Sequence, residues 1–230
     1  RSQAEWAMIS ARIPITIQSG LNVKCSHESK VYKALELNDA RESIHHAIDW
    51  ICDMPFSLKP VFIGYEISTS LLRDYDLSSN ILGVGLKSHP NDPWMLNNRA
   101  YVNARINKLD EAEKDMEQLE HCNKALSESM SICKEATHGL IAYRRKDREK
   151  GRKLYEQAIL RASTMKENSE EIKVKAQINM LREEIIFSNY QNTSALMELE
   201  QLVIPNEKLE LVKLRNEVFD EMKKNEKNQG

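Results

Sequence analysis

The sequence is poor in the two residues that most often interrupt helices. Its 230 residues include 7 glycines and 6 prolines. An all-β chain needs a turn about every ten residues, and glycine and proline supply many of those turns. The scarcity therefore argues against an all-β fold. Leu, Glu, Lys and Ala are abundant instead, which favours helices, and the hydrophobic share of 41% is enough for a sizeable core.

Cysteine pairs, long apolar runs and excess charge are also missing. The four cysteines (Cys25, Cys52, Cys122 and Cys133) form no Cys-x-x-Cys motif, so we interpret them as reduced thiols of a cytoplasmic protein. No apolar run is long enough to cross a bilayer, and there is no secretory signal, so no membrane partner is expected. The net charge of −2 creates no field that would attract nucleic acid.

An internal repeat organises the middle of the chain. The segment "RDYDLSSNILGVGLKSHPND" aligns with "NKLDEAEKDMEQLEHCNKAL" at a spacing of 34 residues. The preceding unit is offset by 35 residues and the following unit by 39, the latter with five extra residues around "NKALSESMS" that we expect to lengthen the second helix of its unit. Aligned pairs are Asp76 with Asp110, Leu82 with Met116, Pro55 with Pro90, and Ala112 with Gly151.

Each unit contains two amphipathic segments separated by a short polar break. Apolar residues recur at helical spacing on both sides of the break. Asn107 falls where the first segment must turn back, and asparagine tolerates the left-handed conformation that often ends a helix. Asp110 then stands where a carboxylate can accept from free N–H groups at a helix start. Further on, Pro93 suits the first turn of a helix, and Thr193 or Ser194 is expected to cap a later one.

The unit resembles the tetratricopeptide repeat, a helix-turn-helix repeat of 34 residues. The family's small residue in the first helix matches Ala100 and Gly139, and its small residue in the second helix matches Ser78, Ala112 and Gly151. The bulky position that follows matches Leu82, Met116 and Tyr155, and the closing proline matches Pro55 and Pro90. Gly85 departs from the pattern because a packed alanine is usual there.

The resemblance implies an all-α fold, a right-handed α-solenoid of such repeats with capping helices. The predicted repeats are 24–58, 59–92, 93–131 and 132–165. We expect a degenerate repeat and capping helices at 166–226, with Ala176, Met180, Leu181 and Ile185 on one apolar face. We expect a short helix and an irregular segment at 1–23, where an upstream domain could end, and a frayed tail at 227–230.

The resemblance also implies a binding surface, because the first helices of such repeats line a concave groove. Asn97 would hold a peptide backbone amide, Arg105 and Arg144 would take carboxylates, and aromatic residues would supply rigid apolar contact. The predicted groove residues are Ile67, Trp94, Asn97, Tyr101, Arg105, Leu140, Tyr143 and Arg144.

Three groups of residues suggest other chemistries, namely metal or acid–base work, zinc binding and phosphate binding. His45, His46 and Asp49 suggest metal ligation or acid–base work, but no third ligand follows at a matching spacing, so solvated polar residues are expected. The Cys/His residues between His121 and His138 fit no zinc spacing. The basic segment from Tyr143 to Lys153 is interpreted as a solvated loop rather than a phosphate-binding site.

We therefore expect a non-catalytic scaffold or adaptor that binds a protein or peptide, with no catalytic residue, metal or cofactor. Two alternatives stay open. One is a structural or oligomerising arm of a larger protein, since the chain begins on Arg1 and its active domain would lie elsewhere. The other is an RNA-associated helical repeat.

Overall fold

Helices make up the whole regular structure of the residues that the computed structural model describes, which are 26–122, 125–166, 169–205 and 208–229. No strand occurs among them, so the all-α prediction is confirmed. The predicted segment at 1–23 lies outside the described residues. The helices are α1 (His27–Glu36), α2 (Ala40–Asp53), α3 (Leu58–Glu66) continued by a π-helical turn (Ile67–Leu71), α4 (Tyr75–Ser88), α5 (Pro93–Arg105), α6 (Leu109–Glu120), α7 (Glu128–Arg144), α8 (Arg148–Thr164), α9 (Ser169–Phe187), α10 (Thr193–Gln201) and α11 (Leu209–Gln229).

A left-handed residue marks the turn inside each of the first four helix pairs. Asn38, Arg73, Asn107 and Lys146 have φ between 55° and 69°, and they are 35, 34 and 39 residues apart. These spacings equal the offsets read from the sequence, and the prediction for Asn107 is confirmed. In three of the four turns the next N–H bonds to the carbonyl five residues back, at 2.8–2.9 Å, which satisfies carbonyls that the helix end leaves free.

Aspartates begin many of the helices. The carboxylates of Asp39, Asp74, Asp92 and Asp147 each accept from the backbone N–H three residues on. Asp92 caps α5 and Pro93 occupies its first turn, as predicted. Asp110 lies in the first turn of α6, as expected, but its carboxylate pairs with Arg145 rather than capping the helix.

Two further expectations about helix limits are wrong. Asn192, rather than Thr193 or Ser194, caps α10 through the N–H of Ala195. The five extra residues also do not lengthen the second helix of their unit. That helix, α6, has 12 residues and ends at Glu120, whereas α7 has 17, so the insertion falls in the connection and in α7.

Neighbouring helices in the chain are neighbours in space. From α1 to α10 each helix contacts the next, and α5 also contacts α7. Ser78, Ala112 and Gly151 are buried where paired helices cross, because a larger side chain would hold the backbones apart. Close packing also explains why position 85 is glycine rather than alanine. An added Cβ there would lie 2.7 Å from Val61 Cγ1 and 2.9 Å from Met95 Sδ.

The last three helices form a second hydrophobic cluster. The α9 residues Val174, Ile178, Leu181 and Ile185 pack with Leu211 and Val218 of α11. The buried surface of α9 is wider than the predicted apolar face, because Arg182, Glu183 and Glu184 are buried as well. No helix among the described residues is long and apolar enough to span a membrane.

Candidate functional site

The predicted groove residues occupy the first helices of the second, third and fourth helix pairs. Most of them are buried, because α9 contacts α7 and α11 reaches back to residues before α5. Tyr101 and Arg144 are half-buried, and Trp94 is the exposed member of the set, with 41% of its surface exposed. Ile67 lies in the π-helical turn, Trp94, Asn97, Tyr101 and Arg105 lie on α5, and Leu140, Tyr143 and Arg144 lie on α7.

Arg105 is held in a buried ion pair with the last helix. Its Nη2 lies 2.5 Å from Oε1 of Glu217 on α11, and the two side chains are 1% and 8% exposed. The hydroxyl of Tyr75 donates to both oxygens of the same carboxylate, at 2.7 and 3.0 Å. The guanidinium also stands 4.4 Å from the centre of the Tyr75 ring, a cation–π contact. The expected arginine–carboxylate contact therefore exists within the chain.

The same arginine connects α11 to α9. Its Nη1 donates to the Tyr101 hydroxyl at 2.8 Å, and that hydroxyl donates to Asn179 Oδ1 on α9 at 3.1 Å. Arg73 makes a more exposed ion pair with Asp220 at 2.9 Å. Two turns of α11 are thus fixed against residues more than a hundred positions earlier in the chain.

Carboxylates of α9 engage the groove residues of α7. Tyr143 donates to Glu184 at 2.6 Å, and Arg144 Nη2 donates to Glu183 at 2.9 Å. Burial opposes ionisation of Glu184, but hydrogen bonds from Arg148 and Tyr143 outweigh it and hold the pKa of this carboxyl below its ordinary value. Glu184 is therefore an anion fixed by donors from α7 and α8.

A cavity of about 230 Å³ remains between α5, α7, α8 and α9. We call it the central cavity. Trp94 stands at its exposed side, and Asn97, 4% exposed, lines it with an Oδ1 that has no hydrogen-bond partner among the described residues. Its remaining walls are mainly apolar, with Lys175 and Glu171 from α9; they comprise Tyr65, Asn98, Tyr101, Ile132, Cys133, Ala136, Thr137, Tyr155, Ile172, Ala176 and Asn179.

A second cavity, of about 520 Å³, lies between α1, the α3 segment and the start of α11. Ile67 and Leu71 line it on one side and Lys208 and Lys213 on the other. Glu171 lines both cavities and a small space of about 60 Å³ that shares walls with each. The two cavities therefore adjoin each other; α9 lines both of them, and the start of α11 lines the second.

Sequence reasoning missed the residues that α9 and α11 contribute. Glu217 and Asn179 are the main ones, because each binds a predicted groove residue directly. One signal was present. Glu217 and Glu221 are four residues apart, next to the apolar positions Leu214 and Val218, so α11 carries an acidic stripe beside an apolar one.

The Cys/His residues between positions 121 and 138 do not meet in one cluster. His138 lies 3.4 Å from Glu120, while His121 Nδ1 lies 2.7 Å from the carbonyl of Glu117. Burial raises the pKa of the Cys133 thiol, which makes it a poor nucleophile at neutral pH. Among the described residues no hydrogen bond joins a cysteine to a histidine, as a catalytic Cys–His pair requires; His121 and Cys122 both bond to backbone carbonyls.

The arginines of the basic segment are paired with carboxylates. Besides Arg144, Arg145 binds Asp110 and Glu113, Arg148 binds Glu184, and Arg152 binds Glu156. The expected solvated loop is wrong in part, because Tyr143 is buried at the end of α7 and residues 148–153 begin α8. Each arginine already has an anionic partner, which agrees with the absence of a phosphate-binding role.

Comparisons of the chain with family models, with curated proteins and with solved structures found no match.

Proposed function

We propose that residues 24–165 form a right-handed α-solenoid of four tetratricopeptide-like repeats. Support comes from the left-handed turn residues, whose spacings of 35, 34 and 39 repeat the offsets in the sequence. Further support is the contact of each helix with the next and of α5 with α7, because a stack of hairpins has local contacts of this kind.

We further propose that the protein is a non-catalytic scaffold that binds a peptide or partner helix in the concave groove of this solenoid. The observation that carries the proposal is the buried Asn97 Oδ1, which faces the central cavity without a partner among the described residues. A buried acceptor that lacks a hydrogen bond costs free energy, and the N–H of a bound peptide would restore the bond.

The surroundings of Asn97 suit a peptide. Trp94 offers a large, rigid and partly exposed ring beside it, the kind of residue that dominates binding energy at protein interfaces. Lys175 and Glu171 on the opposite wall can orient polar groups. The proposal has further support from α11, because this amphipathic helix binds Arg105, which is one of the predicted groove residues.

The test is selection of peptides from a random display library on the immobilised full chain, followed by fluorescence polarisation with a selected peptide. Trp94→Ala should weaken binding by about thirtyfold, the effect of an interface residue worth about 2 kcal/mol. Asn97→Leu should weaken it about tenfold through the lost hydrogen bond. Since that variant removes an unsatisfied buried acceptor, its stability should not fall.

Leu160→Ala serves as the control, because Leu160 is exposed on α8 and does not line the cavity. Its affinity should equal that of the wild type. Selected peptides that bind both cavity variants as tightly as the wild type would place binding elsewhere, and a library without binders would contradict the proposed function.

The RNA-associated alternative has less support, because the arginines of the basic segment are paired with carboxylates. It would be favoured only by a salt-dependent affinity for RNA that is lost on reversing the charge of Arg145.

A further inference from the structure

Two histidines and an aspartate meet at the first helix pair. His27 begins α1, and His46 and Asp49 lie one turn apart on α2. His27 Nδ1 is 3.6 Å and His46 Nδ1 is 4.0 Å from Asp49 Oδ2, and one ligand atom from each of the three residues lies within 4.8 Å of the others. The sequence suggested His45 and His46 with Asp49, placing His45 and Asp49 on one helix face, but provided no further ligand nearby. The fold supplies it from α1.

The second nitrogen of each ring faces another carboxylate. His27 Nε2 lies 3.2 Å from Asp53, and His46 Nε2 lies 3.0 Å from Glu42. These contacts favour the proton on Nε2 and leave a lone pair on each Nδ1. Histidines that bind metals commonly have this arrangement, since the outer carboxylate orients the ring and makes the ligand nitrogen more basic.

Both Nδ1 atoms are inaccessible to solvent and lack a hydrogen-bond partner among the described residues. Two ordinary ion pairs with Asp49 would not explain this, because 3.6 and 4.0 Å are too long for N–H···O hydrogen bonds. A shared cation would explain it. Metal–ligand distances of about 2.0–2.1 Å in a tetrahedral site put ligand atoms about 3.3 Å apart, which is about 0.3 Å and about 0.7 Å shorter than the two nitrogen–oxygen spacings here.

We propose that His27, His46 and Asp49 bind one divalent transition-metal cation, of the Zn²⁺ class, with a fourth position for water. Two imidazoles and a carboxylate suit Zn²⁺ and not Mg²⁺ or Ca²⁺, which prefer oxygen ligands. Glu42, Asp49 and Asp53 give the site a negative surrounding. The ion would join α1 to α2 and stabilise the first helix pair, independently of any ligand in the groove.

The experiment titrates the chelator-treated full chain with ZnCl₂ against a chromophoric competitor. We expect one Zn²⁺ per chain and a rise of Tm with Zn²⁺, because an ion that binds only the folded state stabilises it. His46→Gln should abolish this site. Asp53→Asn alters only the outer carboxylate of an exposed residue, so it should fold normally and lose about 10–100-fold in affinity.

His121→Gln is the matched control, since His121 is exposed on the helix end of α6 and lies outside the cluster. It should bind Zn²⁺ like the wild type. A wild-type chain that takes up no Zn²⁺ at micromolar concentration would overturn the proposal. So would Asp53→Asn and His46→Gln variants that bind as tightly as the control.

Discussion

Replacing Arg105 by alanine would leave the carboxylate of Glu217 buried without its cation. The two side chains are 1% and 8% exposed, so water could not easily solvate the remaining charge. Breaking a buried pair in this way costs about 3–5 kcal/mol. The Tyr75 hydroxyl still donates to Glu217, which places the expected loss near the lower end of that range. The double variant Arg105→Met with Glu217→Leu removes both charges and should recover most of the loss.

Urea unfolding followed by circular dichroism measures these free energies, and hydrogen exchange shows where the chain opens. In Arg105→Ala the amides of α11 should exchange faster than those of α5 and α6, because the pair fixes α11 to the rest of the chain. Arg152→Ala is the control. It breaks an exposed pair with Glu156, 2.9 Å apart on one helix, and should cost no more than about 0.5 kcal/mol.

A loss below about 1 kcal/mol in Arg105→Ala would refute the reasoning, since it would mean that the pair is hydrated in solution. A double variant no more stable than the single one would also refute it. In that case the loss would come from the packing of the arginine stem rather than from the unpaired carboxylate.

Three further predictions concern packing, reactivity and pH. Gly151→Ala places a Cβ 2.5 Å from the Tyr143 ring and should destabilise the fold by about 1–3 kcal/mol in the same urea titration. In Gly83→Ala the nearest atom to the new Cβ, Arg99 Nη1, is 3.6 Å away, so this variant should be more stable by about 0.5–1 kcal/mol. Alkylation by iodoacetamide, followed by mass spectrometry, should be slower at Cys133 than at the exposed Cys52, because burial raises the Cys133 thiol pKa; equal rates would contradict this. Glu184 has a folded-state pKa below its ordinary 4.5, so its contribution to stability is present above that pH and lost as the pH falls further; Glu184→Gln should show a shallower decline of stability below pH 4.5 than the wild type.

The local features of the chain could be read from the sequence. The 34-residue offset, the left-handed Asn107 and the first-turn Pro93 were predicted from neighbouring residues and are present. Each depends on backbone geometry within a few residues, so no distant contact is needed to specify it. The extra residues after α6 were misassigned because an insertion in a repeat has no periodicity of its own.

Only some residues of the candidate sites could be predicted from the sequence. Asn97 and Arg105 were predicted as groove residues from their position in the repeat, but the partner that Arg105 binds within the chain was not predicted. Pairing of Arg105 with Glu217 spans 112 residues, and His27 meets His46 across a turn between two helices. Spacing along one helix predicts neighbours three or four residues apart and carries no information on such contacts.

The sequence by itself determined the all-α class of the described residues, the spacing of their helix pairs and the turn at Asn107, because helix propensity and turn chemistry act locally. Tertiary structure alone decided that α11 packs back against Arg73 and Arg105, that a cavity stays open beside Trp94, and that His27, His46 and Asp49 converge on the first pair. These arrangements depend on how the hydrophobic face of one helix is buried against another, and many docking positions satisfy the same apolar pattern.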